Sequence, residues 1–118
     1  MKRLTILAAL VCGSFGSVHA AGMEGSYRVE GRNVDGSTYA GKAVISVTSK
    51  TECRITWTLA DGSSSAGKCI QRGRSFASAF RLGKESGLAL YEQQPDGSLQ
   101  GTWNTNDTVG QEVLTPMR

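Results

Sequence analysis

From Gly25 onward, apolar and polar residues alternate in short runs broken by turn residues. In the stretch 25–31, Tyr27 and Val29 fall on one face, and Arg28 and Glu30 on the other. Asn33-Val34-Asp35-Gly36 then signals a reversal. Tyr39, Gly41, Ala43, Ile45 and Val47 alternate with Ala40, Lys42, Val44 and Ser46. After a loop over 49–52, Cys53, Ile55, Trp57 and Leu59 share a face opposite Arg54, Thr56 and Thr58. A period of two is what a strand with one buried face requires. No window has the spacing of an amphipathic helix.

The second half keeps the rhythm less cleanly. It predicts strands over 64–71, over 75–82 with Phe76, Phe80 and Leu82, and over 88–93. Two more follow, over 98–104 with Leu99, Gly101 and Trp103, and over 111–115. The segments 83–87 and 105–110 read as loops. About eight short strands joined by tight turns favour an antiparallel meander. That number suits a small closed or nearly closed barrel, which leaves no sticky edge. A two-sheet sandwich is the alternative. Tyr27, Ile45, Trp57, Phe80, Tyr91 and Trp103 are the expected interior, which is either filled by them or holds one small ligand. Tyr39, Tyr91 and the two tryptophans are expected as core.

One turn phrase recurs. Asp35-Gly36-Ser37 begins a run ending Gly41-Lys42, and Asp61-Gly62-Ser63 begins one ending Gly67-Lys68. Asp96-Gly97-Ser98, followed by Gly101, is a shorter copy. Asp-Gly suits a hairpin because Gly accepts positive φ and Asp bonds local backbone donors. The later glycine stands within a strand, where it permits a bulge, a bend or close packing under a ring. The second copy also fixes a register. A hairpin centred on Asp61, with Gly62 last in a three-residue loop, sets Cys53 opposite Cys69. A Cys53–Cys69 disulfide is the expected result.

The residues ahead of this pattern have a different character. Lys2 and Arg3 precede an apolar run from Leu4 to Val11, and small residues lead to Val18-His19-Ala20. That order resembles a secretory signal peptide over residues 1–20, cut before Ala21. The run is too short to span a bilayer, which takes about 20 residues, and no membrane insertion is expected. Val11 before Cys12 is too large for a lipidation site. Cleavage would remove Cys12 and His19, the only histidine, and leave eleven Lys/Arg against ten Asp/Glu. A balance near zero argues against nucleic acid as a partner. The remainder, 21–118, is the size of a single domain. Two cysteines in an exported chain are the expected staple for a small core. The expected location is the periplasm or the exterior.

Chemistry-bearing motifs are sparse. The runs 36–42 and 62–68 approach a phosphate-binding loop, but Ala43 and Cys69 stand where a magnesium-binding Ser or Thr belongs. Without histidine, the usual general base and the nucleophilic triads are excluded. Glu24, Glu30, Asp61, Glu92 and Glu112 remain as carboxylates, expected mostly at turns or on solvated faces. No enzyme activity, cofactor or metal is expected. Lys68, Arg72, Arg74, Arg81 and Lys84 are a candidate interaction patch for an anionic partner.

The spacing Gly25-x-Tyr27-x-Val29-x-Gly31-x-Asn33-x-Asp35-Gly36-Ser37-x-Tyr39-x-Gly41 continues through Trp57 to Gly87-Leu88-Ala89-Leu90-Tyr91 and Asp96-Gly97-Ser98-Leu99-x-Gly101-x-Trp103. It resembles a group of small exported bacterial proteins, some named fibronectin-binding proteins. That resemblance implies export, and its name implies adhesion to a host matrix protein. Gly101-Thr102-Trp103 is similar to a motif of avidin-like and lipocalin-like barrels. Ser86-Gly87-Leu88-Ala89-Leu90-Tyr91 approaches the Ser-Gly-x-x-Tyr loop of periplasmic lysozyme inhibitors, with one residue more. The expected function is therefore a non-enzymatic exported binding protein with a protein or glycan partner. An inhibitor of a hydrolase and a carrier of a small apolar ligand are the alternatives.

Overall fold

A computed structural model of the chain describes residues 23–106 and 108–117. The expected leader, with Cys12, His19 and the cut before Ala21, lies outside the described residues. Eight strands follow one another: β1 (Gly25–Asn33), β2 (Thr38–Val47), β3 (Glu52–Leu59), β4 (Ser64–Arg72), β5 (Ser75–Leu82), β6 (Glu85–Gln93), β7 (Leu99–Asn104) and β8 (Val109–Pro116). Each pairs antiparallel with the next, and β8 returns to β1, so the sheet is a closed barrel. The sandwich alternative is thereby excluded.

Alternation decides which side chains enter. Val29, Ala43, Ile45, Ile55, Tyr91 and Leu114 are buried, while Arg28, Glu30, Lys42, Arg54 and Lys68 lie outside among the same strands.

Several boundaries differ from the expectation. β6 begins at Glu85 rather than Leu88, because Leu82 pairs with Glu85 around the short turn Gly83-Lys84. β8 begins at Val109 rather than Gln111, paired with Asn104. β1 runs on to Asn33, and β7 starts one residue late, at Leu99. A hairpin tip that projects into solvent needs only backbone pairing, so its polar residues read as loop in the sequence.

The Asp-Gly-Ser phrase builds the same corner three times. The Asp35 carboxylate accepts from the Ser37 N–H at 2.9 Å and from its hydroxyl at 2.7 Å. Asp61 does the same for Ser63, and Asp96 for Ser98. At the middle corner the Gly62 N–H donates to the Leu59 carbonyl at 2.9 Å, and the Leu59 N–H to the Ser63 carbonyl at 2.8 Å. Gly62 has φ +93°, a left-handed value that glycine tolerates. These bonds to serine hold all three aspartate carboxyls below their usual range.

The middle corner sets the register as expected. Cys53 faces Cys69 across β3 and β4, and the two form a disulfide with Cα atoms 4.9 Å apart. The bridge lies at the barrel end that holds the 48–51, 73–74 and 94–98 turns. The interior of this end is filled by Tyr27, Ile45, Phe76, Leu99 and Leu114, each at most 2% exposed. Full burial of each such side chain contributes about 1.5–3 kcal/mol. Met23 closes the floor from below, 2% exposed. Its carbonyl accepts a bond from the Tyr27 hydroxyl at 2.7 Å.

Candidate functional site

The other end is built differently. Tyr39, Trp57, Phe80, Tyr91 and Trp103 point inward from five strands, and among them lies a cavity of about 220 Å³. Ala89 stands in its wall, and Asn33, Leu59, Asp61, Ser65 and Leu82 also line it. A cavity of ~150 Å³ takes a benzene molecule, and drug-sized ligands need about 300–1,000 Å³. The space therefore matches a molecule of one ring and a short substituent.

Glycines keep that space open. Tyr39 stands directly opposite Gly31, Phe80 opposite Gly87, Tyr91 opposite Gly101 and Trp103 opposite Gly110. In each pair the ring occupies the place where the partner's Cβ would project. A Cβ on Gly31 would come within 2.0 Å of the Tyr39 ring, and one on Gly110 within 2.2 Å of the Trp103 ring. The four rings thus lie along the barrel wall instead of meeting at its axis. Cross-strand aromatic–glycine pairing of this kind also pins register. Edge contacts lock the rest: Trp57 meets Phe80 with centroids 5.6 Å apart, and Tyr39 meets Trp103 at 6.4 Å.

At the floor of the cavity lies Glu112, only 5% exposed. Its Oε1 accepts from the Tyr39 hydroxyl at 2.6 Å. Its Oε2 accepts from Trp57 Nε1–H at 2.9 Å and from the Tyr91 hydroxyl. Trp103 Nε1–H in turn donates to the Tyr39 oxygen at 2.8 Å. Burial, and then the neighbouring Glu112 charge, push the Tyr39 and Tyr91 hydroxyls well above the usual tyrosine range. Both hydroxyls accordingly stay protonated and keep donating. Tyr91 also stacks on Phe76, 4.6 Å away at 15°, which ties the network to the packed end.

Sequence reasoning placed the aromatic residues inside, either filling the barrel or around one small ligand; Trp57 and Tyr91 belong to the buried core, Tyr39, Phe80 and Trp103 pack against it, and all five line the cavity. The same reasoning considered Glu112 among mostly solvated carboxylates, and that expectation is corrected: Glu112 is internal. The signal was present in β8, where Gly110, Glu112 and Leu114 occupy alternate positions and therefore share a face. Asp61 does sit at an exposed turn as expected. Among the described residues, no three His, Cys, Asp or Glu side chains gather as a metal site requires.

The five basic residues of the candidate patch are all exposed but do not form one cluster. Arg72 and Arg74 lie at the packed end, and Arg81 and Lys84 at the cavity end. Lys68 sits between, on the outer face opposite Arg54 and diagonal to Arg81. The phosphate-loop-like runs are hairpin corners leading into β2 and β4, with no helix after them.

No family model matches the chain. No curated protein matches it either. Solved structures do. A redesigned β-barrel is similar with a TM-score of 0.74 and 17% identity, over 85% of this chain and 96% of that one. A redesigned barrel, mFAP1, bound to DFHBI, has a TM-score of 0.70 and 19% identity, over 82% and 97%. A de novo designed fluorescence-activating β-barrel follows at 0.67 and 16%, over 83% and 96%. At such identities the likeness shows the fold.

Proposed function

We propose that this protein is a non-catalytic binding protein that takes one small, largely apolar ligand into the aromatic end of its barrel. The observation that carries this is the contrast inside one barrel. The interior of one end is filled by Tyr27, Ile45, Phe76, Leu99 and Leu114, each at most 2% exposed, while that of the other keeps about 220 Å³ open behind rings laid against glycines. A purely structural interior has no use for such a space, because each void forfeits packing energy. The similarity to a barrel bound to a small fluorogen supports the same use of the fold. Of the three functions drawn from the sequence, the small-ligand carrier is the one favoured by the geometry.

The disulfide supports an oxidising compartment. Together with the leader-like residues 1–20, it favours a periplasmic or secreted carrier. A protein or glycan partner, including a matrix protein or a hydrolase, receives less support. The five basic residues meant to hold it are spread from one end of the barrel to the other.

Both tryptophans of the chain line the cavity, so intrinsic fluorescence reports on it directly. Titration with toluene or benzyl alcohol is expected to change that fluorescence saturably. The Ala89→Leu variant, which adds bulk at the cavity wall, is expected to abolish the change with the barrel's circular-dichroism spectrum retained. A linear, non-saturating response identical in both proteins would reject the proposal.

A further inference from the structure

We propose that the cavity selects an organic cation: an ammonium group carried on a small aromatic or branched apolar body. This rests on the ligand-carrier reading and names the chemical class of the ligand.

Charge comes first. Among the described residues, the ionisable acids that line the cavity are Glu112 on its floor and Asp61 at its rim, and no Lys or Arg lines it. A buried carboxylate normally has a cationic partner. Glu112 has three hydrogen bonds instead, all from neutral groups. Hydrogen bonds stabilise the anion but do not cancel its charge, and Glu112 itself is buried at the foot of the cavity, 5% exposed. In that setting a charge acts far more strongly than at the surface.

The donor inventory points the same way. The indole N–H groups of Trp57 and Trp103 and the hydroxyls of Tyr39 and Tyr91 are all committed within the network. An anionic ligand would find none of these four donors free. Acceptor capacity, by contrast, remains. Each carboxylate oxygen has about two lone-pair sites. Oε2 already accepts twice, but Oε1 accepts only from Tyr39. One site on Oε1 is left for a donor from the ligand. The surrounding aromatic rings complete the match, because their negative faces attract cations.

Three probes of nearly equal size separate the alternatives: benzylammonium, benzyl alcohol and benzoate, each titrated against the intact protein by tryptophan fluorescence and calorimetry. Benzylammonium is expected to bind roughly tenfold or more tighter than benzyl alcohol, with benzoate weakest. In Glu112→Gln the preference for the cation over the alcohol should collapse. Gln keeps an acceptor oxygen, and a tyrosine hydroxyl can turn to accept from its amide. Should that variant fail to fold, Asp61→Asn at the exposed corner is the second probe. It should weaken benzylammonium a few-fold and leave benzyl alcohol unchanged. If benzyl alcohol or benzoate binds as well as benzylammonium, the cation inference is overturned while the carrier reading stands. If none of the three binds, both fall.

Discussion

The two ends of this barrel share the same eight strands and the same alternation, yet one is a core and the other a site. At the packed end, Tyr27, Phe76, Leu99 and Leu114 meet across the interior, and a disulfide ties β3 to β4. At the cavity end, large rings are no scarcer, but each of four stands opposite a glycine and lies against the wall. The difference is therefore not how much aromatic surface each end carries. It is whether the residue across the strand pair pushes the ring inward or lets it lie back. The packed end supplies the stability that lets the other end remain open.

The comparison breaks most sharply at the two phenylalanines of β5. Phe76→Ala, in the packed end, is expected to cost about 3–5 kcal/mol. Phe80→Ala is expected to cost less than half as much, because Phe80 is only half-buried beside space that already exists. Urea unfolding midpoints measure both, and equal losses would mean the ends are packed alike. Replacing Cys53 and Cys69 together by alanine should cost about 3 kcal/mol, given the short loop that the bridge closes. That double variant should leave binding of small probes at the far end unchanged. Gly110→Ala should reverse the pattern. Its methyl group displaces the Trp103 ring, for a loss of about 1–3 kcal/mol, and it removes probe binding.

Much of this fold could be read in the sequence because period-two alternation and Asp-Gly corners are local signals. The Asp61 corner even set the Cys53–Cys69 register before any coordinates. Hairpin tips such as 83–87 could not be read, since strand residues in solvent have no apolar pattern to show. The aromatic residues of the site read as interior, but the sequence leaves open whether they fill it or surround space for a ligand. Whether Tyr39 fills the barrel depends on Gly31 being its cross-strand partner, a relation that exists only once the register is known. Glu112 was missed because a single acid on a short strand has the solvated face as its default. Only closure of β8 against β1 and β7 turns it inward.

A smaller effect appears in alkali. Burial raises Tyr27, and burial with the Glu112 charge raises Tyr39 and Tyr91, so all three tyrosines lie above their usual range. Their folded-state values exceed the unfolded one. The associated stability is thus complete below about pH 10 and declines as pH rises beyond it. Tyrosinate absorbance should accordingly emerge together with unfolding. A tyrosine titrating near its ordinary value in the folded protein would show that the cavity end is wetter than its geometry implies.

The most direct measurement uses the two indole N–H resonances in a nitrogen-15 spectrum. Both report on the cavity, one through Glu112 and the other through Tyr39. Addition of benzylammonium should shift both signals saturably to a common affinity, while amides of the packed end stay in place. Indole signals that do not move, or shifts centred on the residues around Cys53 and Cys69, would contradict a ligand site at the aromatic end of the barrel.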